Sequence, residues 1–188
     1  NTDNKLYARK CTIVEIAADV KNEFLEKHHI QGKDNCTVKL GAYHNDELVA
    51  VMTFSKPSIA KGNKVSDNVY ELSRFCTSCT VVGIASRMLA YFIKTFNPVK
   101  IFSYADRRWS DGNVYYKLGF EFEHNTDPNY WYIDAHHQKR IHRFNYRKSV
   151  LSSKLEKFDS NLSEWQNMIN NDHDRIWDCG NIKFILNR

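Results

Sequence analysis

The 188 residues carry 27 Lys plus Arg against 22 Asp plus Glu, with 42% hydrophobic and 13% aromatic residues. That composition excludes wholesale disorder and fits one compact domain with room for an appended extension. A formal charge of +5 permits an anionic partner without requiring one, and no stretch approaches the roughly 20 apolar residues that cross a bilayer.

The first residues, Asn1 to Tyr7, are polar and lack an initiator Met, which reads as a fragment or a processed product. Residues 11–16 alternate loosely and predict a strand, and residues 19–28, with Val20, Phe24 and Leu25 at helical spacing, predict a helix. Two apolar runs at 38–43 and 48–54 flank His44-Asn45-Asp46-Glu47, the pattern of a hairpin with a four-residue turn. Pro57 closes the second run, and 56–68 is a loop rich in Lys, Gly, Ser and Asn. Residues 69–75 predict a strand with Tyr70, Leu72 and Arg74 on one side and Glu71, Ser73 and Phe75 on the other. In 86–96, Met88, Leu89, Phe92, Ile93 and Phe96 form the apolar stripe of a helix that Pro98 ends. A buried strand follows at 100–104, then a helix at 111–118 stopped by Gly119. Residues 120–123 and 130–133 read as strands paired around Asn125–Asn129. Farther on, 149–157 and 162–169 predict helices, the latter capped by Ser163 or Asn161. Trp177, Phe184 and Leu186 are apolar enough to dock the tail. Alternating strands and helices after an initial hairpin predict an α/β fold, a mixed central sheet flanked by helices. The division expected is a main domain at 1–135 and a basic extension at 136–188 packed on it.

Two stretches qualify these elements. Five cysteines, an odd count without a secretion signal, predict free thiols in a reducing, cytoplasmic compartment. Cys76 and Cys79 form a C-x-x-C, which is half a zinc site at most, and no metal is expected. Between Ala135 and Leu155 there is no acidic residue, while Lys139, Arg140, Arg143, Arg147, Lys148 and Lys154 are basic and His136, His137 and His142 lie among them. That run is a solvated face or a nucleic-acid footprint.

Chemistry concentrates in two places. Val82-Gly83-Ile84-Ala85-Ser86 joins a strand to an amphipathic helix. Small residues there leave the first helical N–H groups open, which suits a phosphate or a tight structural turn. Asp106 follows the carboxyl end of a buried strand, where open α/β sheets place functional groups. Arg107, Arg108 and Trp109 add charge and a flat ring suited to a base; the alternative is an Asp106–Arg ion pair beside a packed Trp109. His28 and His29 precede the Gln31-Gly32 turn and read as a surface pair or as the lining of an acceptor pocket.

YELSRF, VVGIASRMLAYFI, IFSYAD and NVYYKLGFEF, spread over residues 70–132, resemble the central part of the GNAT N-acetyltransferase fold. The resemblance implies acetyl-CoA or a related acyl-CoA held by Val82, Gly83, Ile84, Ala85 and Ser86. It places Tyr115 at the tyrosine that often donates a proton to the departing thiolate. Acyl transfer also needs a base, for which Glu71, projecting from its strand, is a candidate through water; the alternative is a bridge to Arg74 or a neighbouring lysine. The family's loop opens on Gln or Arg; here Thr80 stands in that place. ELSRF, ASRML and SYAD are also similar to phage Mom-type DNA-modification proteins, which implies alteration of adenine in DNA, with Arg74, Ser86, Asp106 and Tyr115 as the functional set. FLEKHHIQG, SYADRRWS, RIHRFNYRKS and RIWDCGN resemble modules behind homing-endonuclease-type nuclease domains of phage proteins. That likeness makes DNA a more plausible partner and implies a fused or associated nuclease and a host cytoplasm. The residues themselves offer Arg107, Arg108, Trp109, Arg143 and Arg147 as DNA contacts, and Arg74 for a DNA phosphate or a protein carboxylate. The two functions implied are acyl transfer to a DNA base and non-catalytic DNA recognition.

Overall fold

The computed structural model describes residues 5–57, 68–134 and 139–188. His136, His137 and most of the loop expected at 56–68 lie outside them. The chain divides into two compact units. The first runs to Ala105 and includes Asp111–His124 and Ile182–Arg188; the second comprises Asp106–Ser110 and Asn125–Asn181. Residues 182–188, grouped with the basic extension from the sequence, thus belong to the first unit.

A seven-stranded mixed sheet organises the first unit. Its strands are β2 (Thr12–Glu15), β3 (Val38–His44), β4 (Glu47–Ser55), β5 (Val69–Thr77), β7 (Lys100–Asp106), β8 (Glu121–Asn125) and β12 (Asn181–Asn187), in the order β2-β3-β4-β5-β7-β12-β8. A short parallel pair, β1 (Leu6–Tyr7) and β6 (Val81–Val82), stands apart. The β3–β4 turn is tighter than expected, because Asn45 and Asp46 both take positive φ (49° and 65°) and the strands run up to them. Two left-handed residues match the twist of the flanking strands, and short polar side chains tolerate that region.

Helices cover both faces of the sheet. Phe24 and Leu25 of α1 (Ala18–His28) pack with Ile16 and Val51 on one face. On the other, Met88, Leu89 and Phe92 of α2 (Ile84–Phe96) join Met52, Phe54, Tyr70 and Leu72. Phe92 stacks on Phe54 at 3.5 Å between centroids. Burying each such ring contributes about 1.5–3 kcal/mol. Asn97, in the left-handed region at φ 43°, stops α2 one residue before Pro98.

A bulge corrects the expected facing of β5. Pairing with β4 slips by one residue between Thr53↔Arg74 and Phe54↔Leu72, so Ser73 is the extra residue. One inserted residue inverts the alternation beyond it. Arg74 therefore shares a face with Glu71 and not with Tyr70 and Leu72.

The second unit has a three-stranded antiparallel sheet, β10-β9-β11, of β9 (Tyr130–Asp134), β10 (Arg140–His142) and β11 (His173–Trp177). Its core gathers Tyr132, Leu151, Leu155 and Met168, with Trp165 and Tyr146 against them. β8 and β9, expected to pair with each other, belong to different sheets. The segment between them bonds to 178–181 instead: Thr126 N donates to Asn181 O at 2.8 Å and Asn129 N to Asp178 Oδ1 at 2.7 Å. The helix expected at 149–157 is the short α4 (Lys148–Leu151), ending at Ser152-Ser153, poor helix formers. α5 (Glu164–Ile169) begins at Ser163 with a full capping box to Gln166. Strands β11 and β12 are additions to the sequence reading. Of the residues expected to dock the tail, Phe184 and Leu186 join the first core, whereas Trp177 is exposed. Among the described residues, no helix is long and apolar enough to cross a membrane.

Candidate functional site

Strands β5 and β7 run parallel and are in register only from Val69↔Lys100 to Glu71↔Phe102. The next rung is replaced by a side chain. Ser103, fully buried, has its Oγ 2.7 Å from the Leu72 carbonyl and 2.8 Å from the Tyr115 hydroxyl. Its one hydrogen serves one of those two acceptors at a time. Tyr115 comes from the short helix α3 (Asn113–Lys117) and is steadied by stacking on Phe184 at 4.9 Å and an edge contact with Phe120. Burial pushes its phenol above the ordinary value; Ser103 and Arg74 pull it back and Glu71 adds to the rise. Tyr115 is therefore protonated throughout the neutral range and holds a proton at the mouth of the fork between the strands.

A cavity of about 590 Å³ is walled by Phe75 and Thr77 of β5, by Gly83 and Ser86, and by Val114 and Lys117 of α3, the helix that carries Tyr115; Tyr115 itself is not on the wall. Gly83 caps α2 in the left-handed region at φ 78°, and no side chain closes the helix start. A Cβ at Gly83 would meet only the Ala8 methyl, at 3.9 Å, so what the glycine supplies is conformation. The first N–H groups of α2 have no partner within the helix, and with the partial positive charge of the helix start they suit an anion such as a pyrophosphate. Ile84 is buried and anchors this turn, Ala85 and Ser86 line the cavity, and Val82 is exposed and pairs with Tyr7. Lys117, which the sequence reading did not single out, is a cation on the same wall. Its signal was its place two residues after Tyr115, less than one helical turn away.

On the other face of the sheet, the loop after α1 is clamped over Arg74. Arg74 Nε donates to Gly32 O at 3.3 Å. Lys21 and Asp34, both buried, pair at 2.9 Å, and Thr53 Oγ1 donates to Asp34 Oδ2 at 2.6 Å. His29 Nδ1 accepts from Gln31 N at 3.1 Å, while burial and the Arg74 charge, opposed by Asp34, hold His29 below its ordinary pKa. His29 is consequently neutral, with its proton on Nε2. His28 packs on Phe24 and lines a second cleft, of about 730 Å³, with Glu23, His44 and Glu47. Burial raises the Cys76 thiol to about 11, and no His/Cys/Asp/Glu group suited to a metal occurs among the described residues.

The structure thus holds Glu71, Arg74, Tyr115 and the 82–86 turn in the first unit, with Glu71 and Arg74 on the face of β5 opposite the cavity that the turn lines and within electrostatic reach of Tyr115. The remaining sequence candidates belong to the second. There Asp106 takes a two-point contact from Arg108, Nε to Oδ1 at 3.0 Å and Nη2 to Oδ2 at 2.5 Å. The Arg108 hydrogen bond holds the Asp106 carboxyl below its ordinary pKa against the effect of burial. Arg107 donates to Cys179 O at 3.1 Å, and Trp109 is exposed. Arg143 and Arg147 are also exposed, each with its guanidinium over an aromatic ring.

Similarity to known proteins agrees with this architecture. A family model described as the Mom protein family matches residues 10–175. Among solved structures, a Bacillus subtilis acetyltransferase in complex with CoA superposes with a TM-score of 0.50 at 12% identity, covering 95% of this chain and 98% of that one. Spermidine/spermine N-acetyltransferase SpeG from Vibrio cholerae gives 0.52 at 10%, covering 96% and 94%. The IAA acetyltransferase of Bacillus cereus gives 0.50 at 11%, covering 95% and 99%. Identities this low establish the fold, that of the GNAT acetyltransferases. No curated protein matches the sequence.

Proposed function

The chain belongs to the Mom protein family, and from that premise we propose that it transfers an acyl group from an acyl-CoA thioester to a nitrogen of a DNA base such as adenine. One observation carries the reading. A single cavity joins the uncapped start of α2 to the helix that holds the Tyr115 proton at the β5–β7 fork. GNAT neighbours solved with CoA, and a basic run free of acidic residues, are consistent with it.

The thioester supplies an activated acyl carbon and a thiolate leaving group. The chain's own groups do the rest. The N–H groups of Ile84, Ala85 and Ser86 take the pyrophosphate, and Lys117 adds a cation. Tyr115 gives its proton to the leaving sulfur, after which Ser103 turns its hydrogen from Leu72 O to the phenolate. Glu71, on the Arg74 side of the sheet, accepts the amine proton through water. A base amine is a weak nucleophile, so positioning supplies much of the rate. The DNA is that of a phage in its host's cytoplasm, and a nuclease domain accompanies this one.

Calorimetric titration with acetyl-CoA tests the cofactor part. Saturable binding is expected, abolished by Gly83→Val, because a β-branched residue resists φ near 78°. Absence of heat at millimolar ligand would refute acyl-CoA use. That result would favour the second reading, non-catalytic DNA recognition. The Asp106–Arg108 pair supports this alternative, since it engages both carboxylate oxygens of Asp106, one of the residues that the likeness to Mom-type proteins makes functional.

A further inference from the structure

Three arginines of the second unit share one arrangement. The guanidinium carbon of Arg140 lies 4.8 Å from the ring centre of Trp131, that of Arg143 5.3 Å from Tyr130, and that of Arg147 3.8 Å from Phe144. All three side chains are exposed, and none forms an ion pair among the described residues. They fall within eight consecutive positions, on β10 and the turn that follows it, in a segment with no acidic residue to neutralise them. A solvated basic face does not require aromatic backing, because a hydrated charge is satisfied by water.

Backing changes what an arginine can do. A ring under one face of the guanidinium fixes its plane and removes part of the rotamer entropy that binding would otherwise cost. The five N–H donors lie in that plane, so they stay free at the rim and offer a fork matched to phosphate oxygens. Lysine in the same positions would keep the charge and lose the plane.

We infer that Arg143 and Arg147, just after β10 and held by Tyr130 and Phe144, form a phosphate-gripping edge that takes the backbone of a DNA strand. Arg140, on Trp131, belongs to the opposite face of the sheet. The inference rests on the DNA reading above and deepens it. It assigns backbone grip to arginine geometry and not to net charge. Phe144, half of whose surface is exposed, is then a binding determinant although it carries no charge and contributes little to the core.

Fluorescence anisotropy with a labelled duplex oligonucleotide, at several salt concentrations, separates the possibilities. Arg143→Glu with Arg147→Glu should reduce the slope of log affinity against log salt by about two. Phe144→Ala and Arg147→Lys, which leave that charge balance intact, should each weaken binding about three- to tenfold. Thermal melts matching the parent protein confirm that these exposed substitutions leave the fold in place. Parent-like affinity in both neutral-balance variants would overturn the inference, leaving plain charge attraction. Equal affinity for phosphatidylserine vesicles and for DNA would overturn it as well, assigning the edge to a membrane surface. Calorimetry with acetyl-CoA on the unmodified protein keeps the two proposals separable. Weakened DNA binding in Phe144→Ala, alongside no acetyl-CoA binding, would sustain this edge and sink acyl transfer.

Discussion

Gly112 is the residue through which the position of Tyr115 can be tested without any substrate. It sits at φ 82° immediately before α3, and a Cβ there would overlap Cζ and Cε2 of Phe184. Phe184 is fully buried and stacks on Tyr115, so the ring cannot swing aside freely. Gly112→Ala therefore incurs two costs. The left-handed conformation costs an L-residue about 1–2 kcal/mol, and forcing a methyl into a filled core costs about 1–3 kcal/mol. Together they predict a loss of about 2–5 kcal/mol. Gly119 provides the control: its φ is 84°, yet nothing lies within 4 Å of its hypothetical Cβ. Gly119→Ala should show the conformational cost alone. Urea denaturation of both variants, followed by circular dichroism, measures the difference as a midpoint shift at constant slope. Combining Gly112→Ala with Phe184→Leu should recover part of the overlap cost. If Gly112→Ala is no worse than Gly119→Ala, the Phe184 overlap does not exist and Tyr115 is not fixed by that packing.

Two further outcomes follow from buried groups. Asp34→Ala leaves Lys21 buried without its partner and should cost about 3–5 kcal/mol in urea denaturation, whereas Asp34→Ala with Lys21→Met should regain most of it; equal losses in the single and double variants would refute the pairing. Cys76 has its folded pKa raised from 9.0 to about 11 by burial, so the unfolded chain releases that proton first. Its stabilising contribution is complete below pH 9 and lost as pH rises through 11. The urea midpoint should fall across that window, and Cys76→Ala should flatten the fall; an unchanged slope would refute it.

Much of the site's frame was legible from periodicity. The α2 stripe, the Gly83 junction and Gly119 after α3 are local patterns, and local patterns set local structure. What escaped depends on partners far along the chain. The bulge at Ser73 moved Arg74 to the Glu71 face, and nothing in YELSRF marks an extra residue, because a bulge is defined by the opposing strand. Ser103 looked like one more residue of a buried strand; its role needs Leu72 and Tyr115 beside it. Asp34 and Lys21, 13 positions apart, carry no motif. The turn at 125–129 suggested a hairpin by composition, but its polar groups are satisfied by 178–181. Asp106 and the basic residues were found as types; the structure adds that Asp106 is held by Arg108 and that three of the arginines lie on rings.

The order of strands has a consequence for how the chain reaches its native state. β8 and β12 are neighbours in the large sheet, yet most of the second unit lies between them in sequence. Joining two distant segments is a slow, non-local step in folding. Its two ends are already tied at Thr126 and Asn181, each donating a backbone N–H to the other residue. A second unit that folds first would present β8 and β12 as if joined by a short turn and would remove most of the closure entropy, which grows only slowly with length, by about 0.6 kcal/mol per doubling. Damage confined to the Tyr132 core could then delay the seating of Phe184 beneath Tyr115 through chain connectivity alone.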